Sequence, residues 1–411
     1  MKARPAVPVL ALSAAAFLLA DMAPAFAQGE PSPNVPVTQR PRPEFDPLGL
    51  RAGNFFIFPD VTVSGTYDDN VFATPDDETS DFITVLSPRV TVTSNFPRHS
   101  LGFGVGADVA FYASEDDENY EDFFFNGDGR LDITRFNSLN ASANFGRFHE
   151  SRDDPDDPGR AEPAKFFRYG GALSFNQAFN RVNFRATGRA QRTDWEDSAD
   201  ADRDRWIYDG LLRVGYFVSP RINTFVEGRY SMERRDEDVD AAGFERDSDG
   251  WEARAGVAVD ITALLFGEVF AGYRRQMFDE AAFDDEDGVS FGADLTWNPT
   301  TLTTLTLSGS GDFVPTTVDD AAGNFRSTIG VRVDHEVLRN FLIGGRFAYT
   351  RDRFDRIDRT DNVIDVGANL TYLINRNFSV GAAYGFTDRS SDLETEEFSR
   401  NRVTVSLTAR L

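Results

Sequence analysis

Charged side chains recur at alternate positions along much of this 411-residue chain. In "RVNFRATGRAQRTDWED", Arg185 and Arg189 share one parity, with Val182, Phe184, Ala186 and Gly188 on the other. In "GWEARAGVAVDI", Glu252, Arg254 and Asp260 stand against Trp251, Ala253, Ala255, Val257 and Val259. The same placement holds for Asp128, Arg130 and Asp132, for Arg332 and Asp334, and for Asp365 within "NVIDVGANLTYL". Further members are Asp108, Arg168, Asp209, Arg213, Glu227, Arg229, Glu268, Arg274, Asp294 and Arg346. Interleaved opposite charges on one face have two uses: tuning which ions pass along a wet surface, or locking to one another as a cross-strand lattice.

Bond-making chemistry has little support. The three histidines, His99, His149 and His335, have no metal-ligand spacing, and no segment singles out a nucleophile with its base. Gly-rich strings such as "GFGVG" lie inside alternating segments and so read as small side chains, not as phosphate cradles. No catalytic residue, cofactor site or specific metal site is therefore assigned, and the chain reads as a non-enzyme. A net charge of -25 without basic patches argues against nucleic acid. With no cysteine, no disulfide framework can support the fold. Acidic segments such as "DDPDDPG" and "DDEDG" lack the ligand spacing of an EF-hand and read mainly as solvated loops. Weak, distributed Ca²⁺ or Mg²⁺ binding there, bridging loops to lipopolysaccharide, is the one metal role considered.

The elements that must position the charges are strands. Alternation with period two over about ten residues is strand spacing, because successive side chains leave opposite faces. "NFSVGAAYGFTD" sets Phe378, Val380, Ala382, Tyr384 and Phe386 against Ser379, Gly381, Ala383, Gly385 and Thr387. The final segment alternates until it stops at Leu411. Connections alternate as well. Short ones ("NFPRH", "AFNRV", "VSPRI", "VLRNF", "LINRN") take turns with longer acidic ones ("DDNVFATPDDETSD", "SEDDENYED", "SRDDPDDPGRAEPA"). Short turns at one end and long loops at the other are the pattern of an outer-membrane barrel. The polar face is Gly, Ser, Thr, Asn and paired acids and arginines, with Lys nearly absent, which suits a water-containing lumen better than a soluble surface.

Aromatic residues near strand ends fit interfacial girdles. They are Phe123, Phe124, Phe125, Phe166, Phe167, Tyr169, Trp206, Tyr208, Trp297, Phe347, Tyr349 and Tyr372. In hydrocarbon every backbone donor and acceptor needs a protein partner, and a closed barrel is the β solution.

The expected fold is an all-β, transmembrane, antiparallel up-and-down barrel of about 18 strands, with 16 as the fallback. Strand starts are expected near residues 56, 81, 100, 122, 138, 165, 181, 205, 221, 249, 266, 287, 301, 325, 340, 361, 377 and 398. The hairpin at "ITALLFGEVF" is the least certain, because its turn is apolar. The last strand is expected to close on the first, near Phe56 to Tyr67. Loops 151 to 164 and 235 to 248 are the candidates for a constriction.

At the amino terminus, Lys2 and Arg4 precede "VPVLALSAAAFLLA" and the small-residue site "APAFA", the grammar of a secretory signal peptide over 1–27. Residues 28–54 are rich in Pro and polar groups and are expected to form an extended, unpacked periplasmic tether. Residues 55–411 are then the barrel, in a bacterial outer membrane.

The stretch "RPRPEFDPLGLRAGNFFIFPDVTVSGTYDDNVFATPDDETSDFITVLSPRVTVTSN" resembles the opening of the putative β-barrel porin 2 family, most specifically at Tyr67, Asp68, Asp69, Asn70 and Val71. "NRNFSVGAAYGFTDRSS" is similar to a later part of the same family. The resemblance implies a Gram-negative outer-membrane barrel and brings a connection with capsule or exopolysaccharide production. The functional expectation is a porin-like channel for hydrophilic solutes. The alternatives are a component of polysaccharide export with periplasmic partners, and a closed structural barrel. The expected surroundings are outer-membrane lipid and lipopolysaccharide.

Overall fold

The computed structural model describes residues 35–157, 159–261, 264–318 and 321–411. The expected signal peptide and the first residues of the tether lie outside these. A short strand β1 (Leu50–Ala52) leads into eighteen long ones. They are β2 (Phe55–Asp68), β3 (Asp81–Ser94), β4 (Ser100–Tyr112), β5 (Tyr120–Asp132), β6 (Asn137–His149) and β7 (Lys165–Ala178). Then come β8 (Val182–Trp195), β9 (Arg205–Ser219), β10 (Ile222–Arg235), β11 (Ser248–Ile261), β12 (Leu265–Phe278) and β13 (Glu286–Thr300). The last six are β14 (Thr303–Pro315), β15 (Gly323–Leu338), β16 (Phe341–Phe354), β17 (Thr360–Leu373), β18 (Phe378–Ser391) and β19 (Phe398–Arg410). Every observed start lies within two residues of its expected position.

Each strand pairs antiparallel with the next, and β19 returns to β2 with Leu407 opposite Val63 and Val405 opposite Gly65. The ring is therefore closed at eighteen strands, with no free edge. The apolar hairpin between β11 and β12 does form, with Ile261 opposite Leu265. Close by, Gly267 has φ +138, and a Cβ there would sit 1.9 Å from the Asp294 carbonyl oxygen, so only glycine fits this sharply bent entry to β12.

Side-chain parity assigns the two faces. Val63, Tyr67, Leu86, Val105, Leu212, Val226, Val366 and Val405 are large, apolar and exposed, and they occupy one parity of their strands. A closed ring has one outer face, and an apolar exposed surface of that extent belongs against lipid. The opposite parity carries Thr66–Thr404 and Ser174–Thr187 hydroxyl pairs and the ion pairs described next. Aromatic rings meet across neighbouring strands on the outer face: Phe123, Phe145 and Phe167, then Tyr169, Trp206 and Tyr208. Two of the expected girdle residues turn inward instead. Phe124 and Phe166 share the parity of Asp122 and Arg168, and they lie beneath Arg89 and Arg168 at 5.4 and 4.9 Å from ring centroid to guanidinium. Phe347 is outward but in the middle of β16, away from either interface.

Candidate functional site

All of the charged positions singled out from the sequence fall on the inward parity. Register brings many of them together. Arg213 on β9 reaches Glu227 on β10 at 2.5 Å and Glu268 on β12 at 2.9 Å. Glu227 also pairs with Arg254 on β11, which stands 3.6 Å from Glu252. A second chain joins Asp209 to Arg229 at 2.7 Å, and Arg229 to Asp312 on β14 at 3.7 Å, with Arg274 completing it from β12. Arg332 meets Asp334 at 2.8 Å, and Arg346 meets Asp365 at 3.1 Å. Arg130 meets Asp132 at 2.8 Å. Arg185 donates to Asn176, and Arg189 lies opposite Asp209 in register. Asp294 lies opposite Glu268, so two carboxylates share one step of the β12–β13 ladder. Asp260 sits near the β11–β12 turn, opposite Phe266 in register.

The sequence reading missed what lies under the arginines. Phe225 and Phe270 are inward, and the guanidinium groups of Arg213 and Arg254 stack on them at 3.9 and 4.2 Å. Stacking leaves the in-plane N–H donors free to meet carboxylates, so each ring fixes the tilt of a charged pair. The signal was available: an aromatic residue at the parity of charged neighbours is out of place in a strand whose other face meets lipid. Also missed were Arg326, paired with Asp352 at 2.7 Å, and the arginines Arg400 and Arg402 on β19 that join Arg389 of β18 in one cluster.

That cluster is met by the loop between β6 and β7. Arg400 holds the Asp153 carboxylate at 2.8 Å, and Arg389 donates to the Asp153 carbonyl. Three residues on, Asp156 accepts the Thr316 hydroxyl and, at 3.0 Å, the Thr317 N–H, from the connection after β14. Strands β6 and β14 are eight places apart in a ring of eighteen, so connections from opposite sides of the ring meet over the outer mouth. The base of the β6–β7 loop is tied by Glu150 to Arg203, by Arg152 to Glu118 and by Arg160 to Asp200. Burial alone would raise the Asp153 carboxyl, but the Arg400 guanidinium and the Ser151 hydroxyl hold it below the usual aspartate range. Asp154 is pushed up by desolvation and by the Asp156 carboxylate, an effect only partly offset by the Asp156 N–H and Arg326.

The other end is covered too, and here the tether expectation needs correction. From Val35 the amino-terminal segment is packed against the lumen wall. The Val37 N–H donates to Thr304 Oγ1 at 2.8 Å, and Arg42 pairs with Glu336 at 2.6 Å while also holding the Val37 carbonyl at 2.9 Å. Val37 and Arg42 are buried, and Arg376, from the β17–β18 turn, holds the Pro43 carbonyl at 2.8 Å. Proline and polar composition suggests a solvated chain only when no wall offers partners, and here inward Glu336 and Thr304 offer them. Losing the Glu336 carboxylate should release this strap, since breaking a buried pair costs about 3–5 kcal/mol. The chain has no cysteine, so Val37→Cys gives a clean probe: maleimide should label it slowly alone and rapidly with Glu336→Ala. Equal rates would show that Glu336 does not hold the strap.

The histidines make structural contacts. His149 pairs with Asp122 at 2.9 Å and stacks on Tyr120, His335 meets Thr303 at 3.0 Å, and His99 accepts the Asp132 N–H at 3.2 Å. In the outer loops, Glu245, Asp247 and Asp279 have carboxylate oxygens within 4.8 Å of one another.

A family model described as putative β-barrel porin 2 matches residues 42–411. The chain belongs to that family. The porin therefore lies in the bacterial outer membrane, with its short turns toward the periplasm and its long loops outside. No curated protein matches it. It is similar to solved structures from Pseudomonas aeruginosa. OpdL has 13% identity over 88% of this chain and 100% of that one, with a TM-score of 0.46. OpdO has 13% identity over 87% and 98%, with a TM-score of 0.47. OccK2 (OpdF) has 12% identity over 86% and 98%, with a TM-score of 0.48.

Proposed function

We propose that this porin is a narrow channel for small hydrophilic solutes. The reading rests above all on the inward face. A ring of eighteen strands is wide enough for an aqueous interior, and its wall carries paired acids and arginines where a packed core would carry aliphatic groups. Such pairs leave little net charge along the path while keeping it wet. The loop across the outer mouth and the strap at the inner one limit passage to small solutes and give the pore two places to be regulated.

Planar-bilayer recording of the purified protein tests this directly. Discrete conductance steps are expected, and they should grow when the strap is released by Glu336→Ala. A porin silent both as wild type and with strap and outer loop released would be a closed structural barrel. Selectivity gives a second test. Glu227 is buried between Arg213 and Arg254, which also meet Glu268 and Glu252, so Glu227→Gln removes one negative charge from the lumen wall and makes the path less favourable to cations. The reversal potential in a KCl gradient should move toward that of chloride; no movement would place this cluster off the ion path.

A further inference from the structure

The two rims of the barrel carry opposite charge. All nine outer loops contain at least two Asp or Glu residues, whereas none of the eight periplasmic turns contains any. Six of those turns carry an arginine: Arg98, Arg135, Arg181, Arg221, Arg339 and Arg376. All six are exposed. The two connections without one, 262–264 and 301–302, are neighbours on the rim, joining β11 to β12 and β13 to β14, so the arginines occupy one continuous arc around the rest of it.

Within three residues of most of them in sequence is an exposed apolar side chain: Phe136, Phe179, Val218, Leu338 and Ile374. Arg135 lies over the Phe136 ring at 4.4 Å. An apolar residue beside an arginine at the end of a lipid-facing strand is the arrangement of a snorkelling cation, with the hydrocarbon part at acyl depth and the charge at headgroup depth. Protein partners account for little of this charge. Arg339 is 3.4 Å from Glu336, while Arg98 and Arg376 donate to the carbonyls of Asp132 and Pro43. The guanidinium groups of Arg181 and Arg221 meet no acceptor among the described residues.

We infer that this arc is a binding surface for anionic phospholipid headgroups of the inner leaflet of the outer membrane. A guanidinium presents paired N–H donors matched to a phosphate, and an anionic headgroup adds Coulombic attraction that a zwitterionic one lacks. The acidic outer rim offers such a lipid nothing, so the charge asymmetry also favours one orientation of the barrel in an asymmetric membrane. The inference depends on the outer-membrane barrel and its orientation, and is independent of whether the lumen conducts.

The test is lipid association by spin-labelled phosphatidylglycerol and phosphatidylcholine, with the whole porin reconstituted in bilayers. Phosphatidylglycerol should be preferred by about five-fold at low salt, the effect of roughly one interfacial charge per lipid contact. The preference should shrink at high salt, where screening shortens to a few ångströms. Changing the six arginines together to Gln should remove it, and changing them to Lys should keep most of it. Heat-modified gel migration confirms that each variant is a folded barrel. If the Gln variant does not fold, the Lys variant and the salt titration of the wild type still decide. No preference in the wild type, a preference insensitive to salt, or one that survives the Gln changes would each overturn the inference. So would binding of a soluble polyanion such as polygalacturonate at the periplasmic turns without any lipid preference.

Discussion

Val366→Arg is expected to stop the barrel from assembling, whereas Asn369→Arg on the same strand should leave it intact. Val366 is the seventh of the fourteen residues of β17, outward and exposed between Phe347 and Phe386 on the neighbouring strands. An arginine at that depth costs ~2–4 kcal/mol on the lipid face, falling to ~0–1 near the interfaces. Leu370, also outward but four residues nearer the periplasm, should therefore tolerate arginine better than Val366 does. Asn369 is inward and exposed to the lumen, close to Asp334, so a new guanidinium there has both water and a counter-charge. Urea midpoints of the refolded barrel, with heat-stable gel migration, should rank wild type and Asn369→Arg together, then Leu370→Arg, then Val366→Arg. Equal loss at 366 and 369 would mean that the faces are assigned wrongly. Spin labels add a second readout: one at 370 should meet lipid-soluble oxygen, and one at 369 a polar quencher.

The strands and the sorting of side chains were legible because both are local. Period-two alternation fixes which residues leave together, and a one-residue slip would send every charge into lipid, so parity alone placed Arg213, Glu227 and Arg254 on the inward face. Even the apolar turn before Leu265 was detectable from the alternation on either side of it. What parity cannot supply is distance around the ring. Asp156 and Thr316 are 160 residues apart in sequence, and nothing near either one encodes their contact. Arg42 and Glu336 are 294 apart, and the proline-rich context of Arg42 argues for a free chain until the opposing carboxylate is known. Phe124 and Phe166 have a place near strand ends that suits a girdle, but parity is the stronger constraint, because an inward ring beneath Arg89 or Arg168 has a partner there.

The loop across the outer mouth carries the largest expected functional effect. Its far contacts include Arg400 and Arg389 on Asp153, and the Thr316–Thr317 edge on Asp156. Arg400 and Asp153 are both almost fully buried, so Asp153→Ala strands a guanidinium, at a cost of about 3 kcal/mol or more. That moves the balance between docked and released loop by on the order of a hundred-fold. Unitary conductance should rise and brief closures should become frequent, as a tethered loop moves in and out of the mouth. Arg400→Ala alone should act similarly, and the double variant should cost less than the two single changes added together, since each single change leaves a charge without its partner. Acid offers a parallel route. Because Arg400 depresses the Asp153 carboxyl, its contribution is complete above the ordinary aspartate value of about 3.9 and fades only as pH falls through the lower value of the docked state. Asp153 should therefore cause no opening between neutral pH and about that value, where protonation of the raised Asp154 carboxyl can only favour the docked loop. Wild-type conductance should increase below it, while Asp153→Ala should already be high throughout. A wild type that opens near pH 6 would assign the gate to another group, and Asp153→Ala channels indistinguishable from wild type would mean that the loop does not restrict the pore.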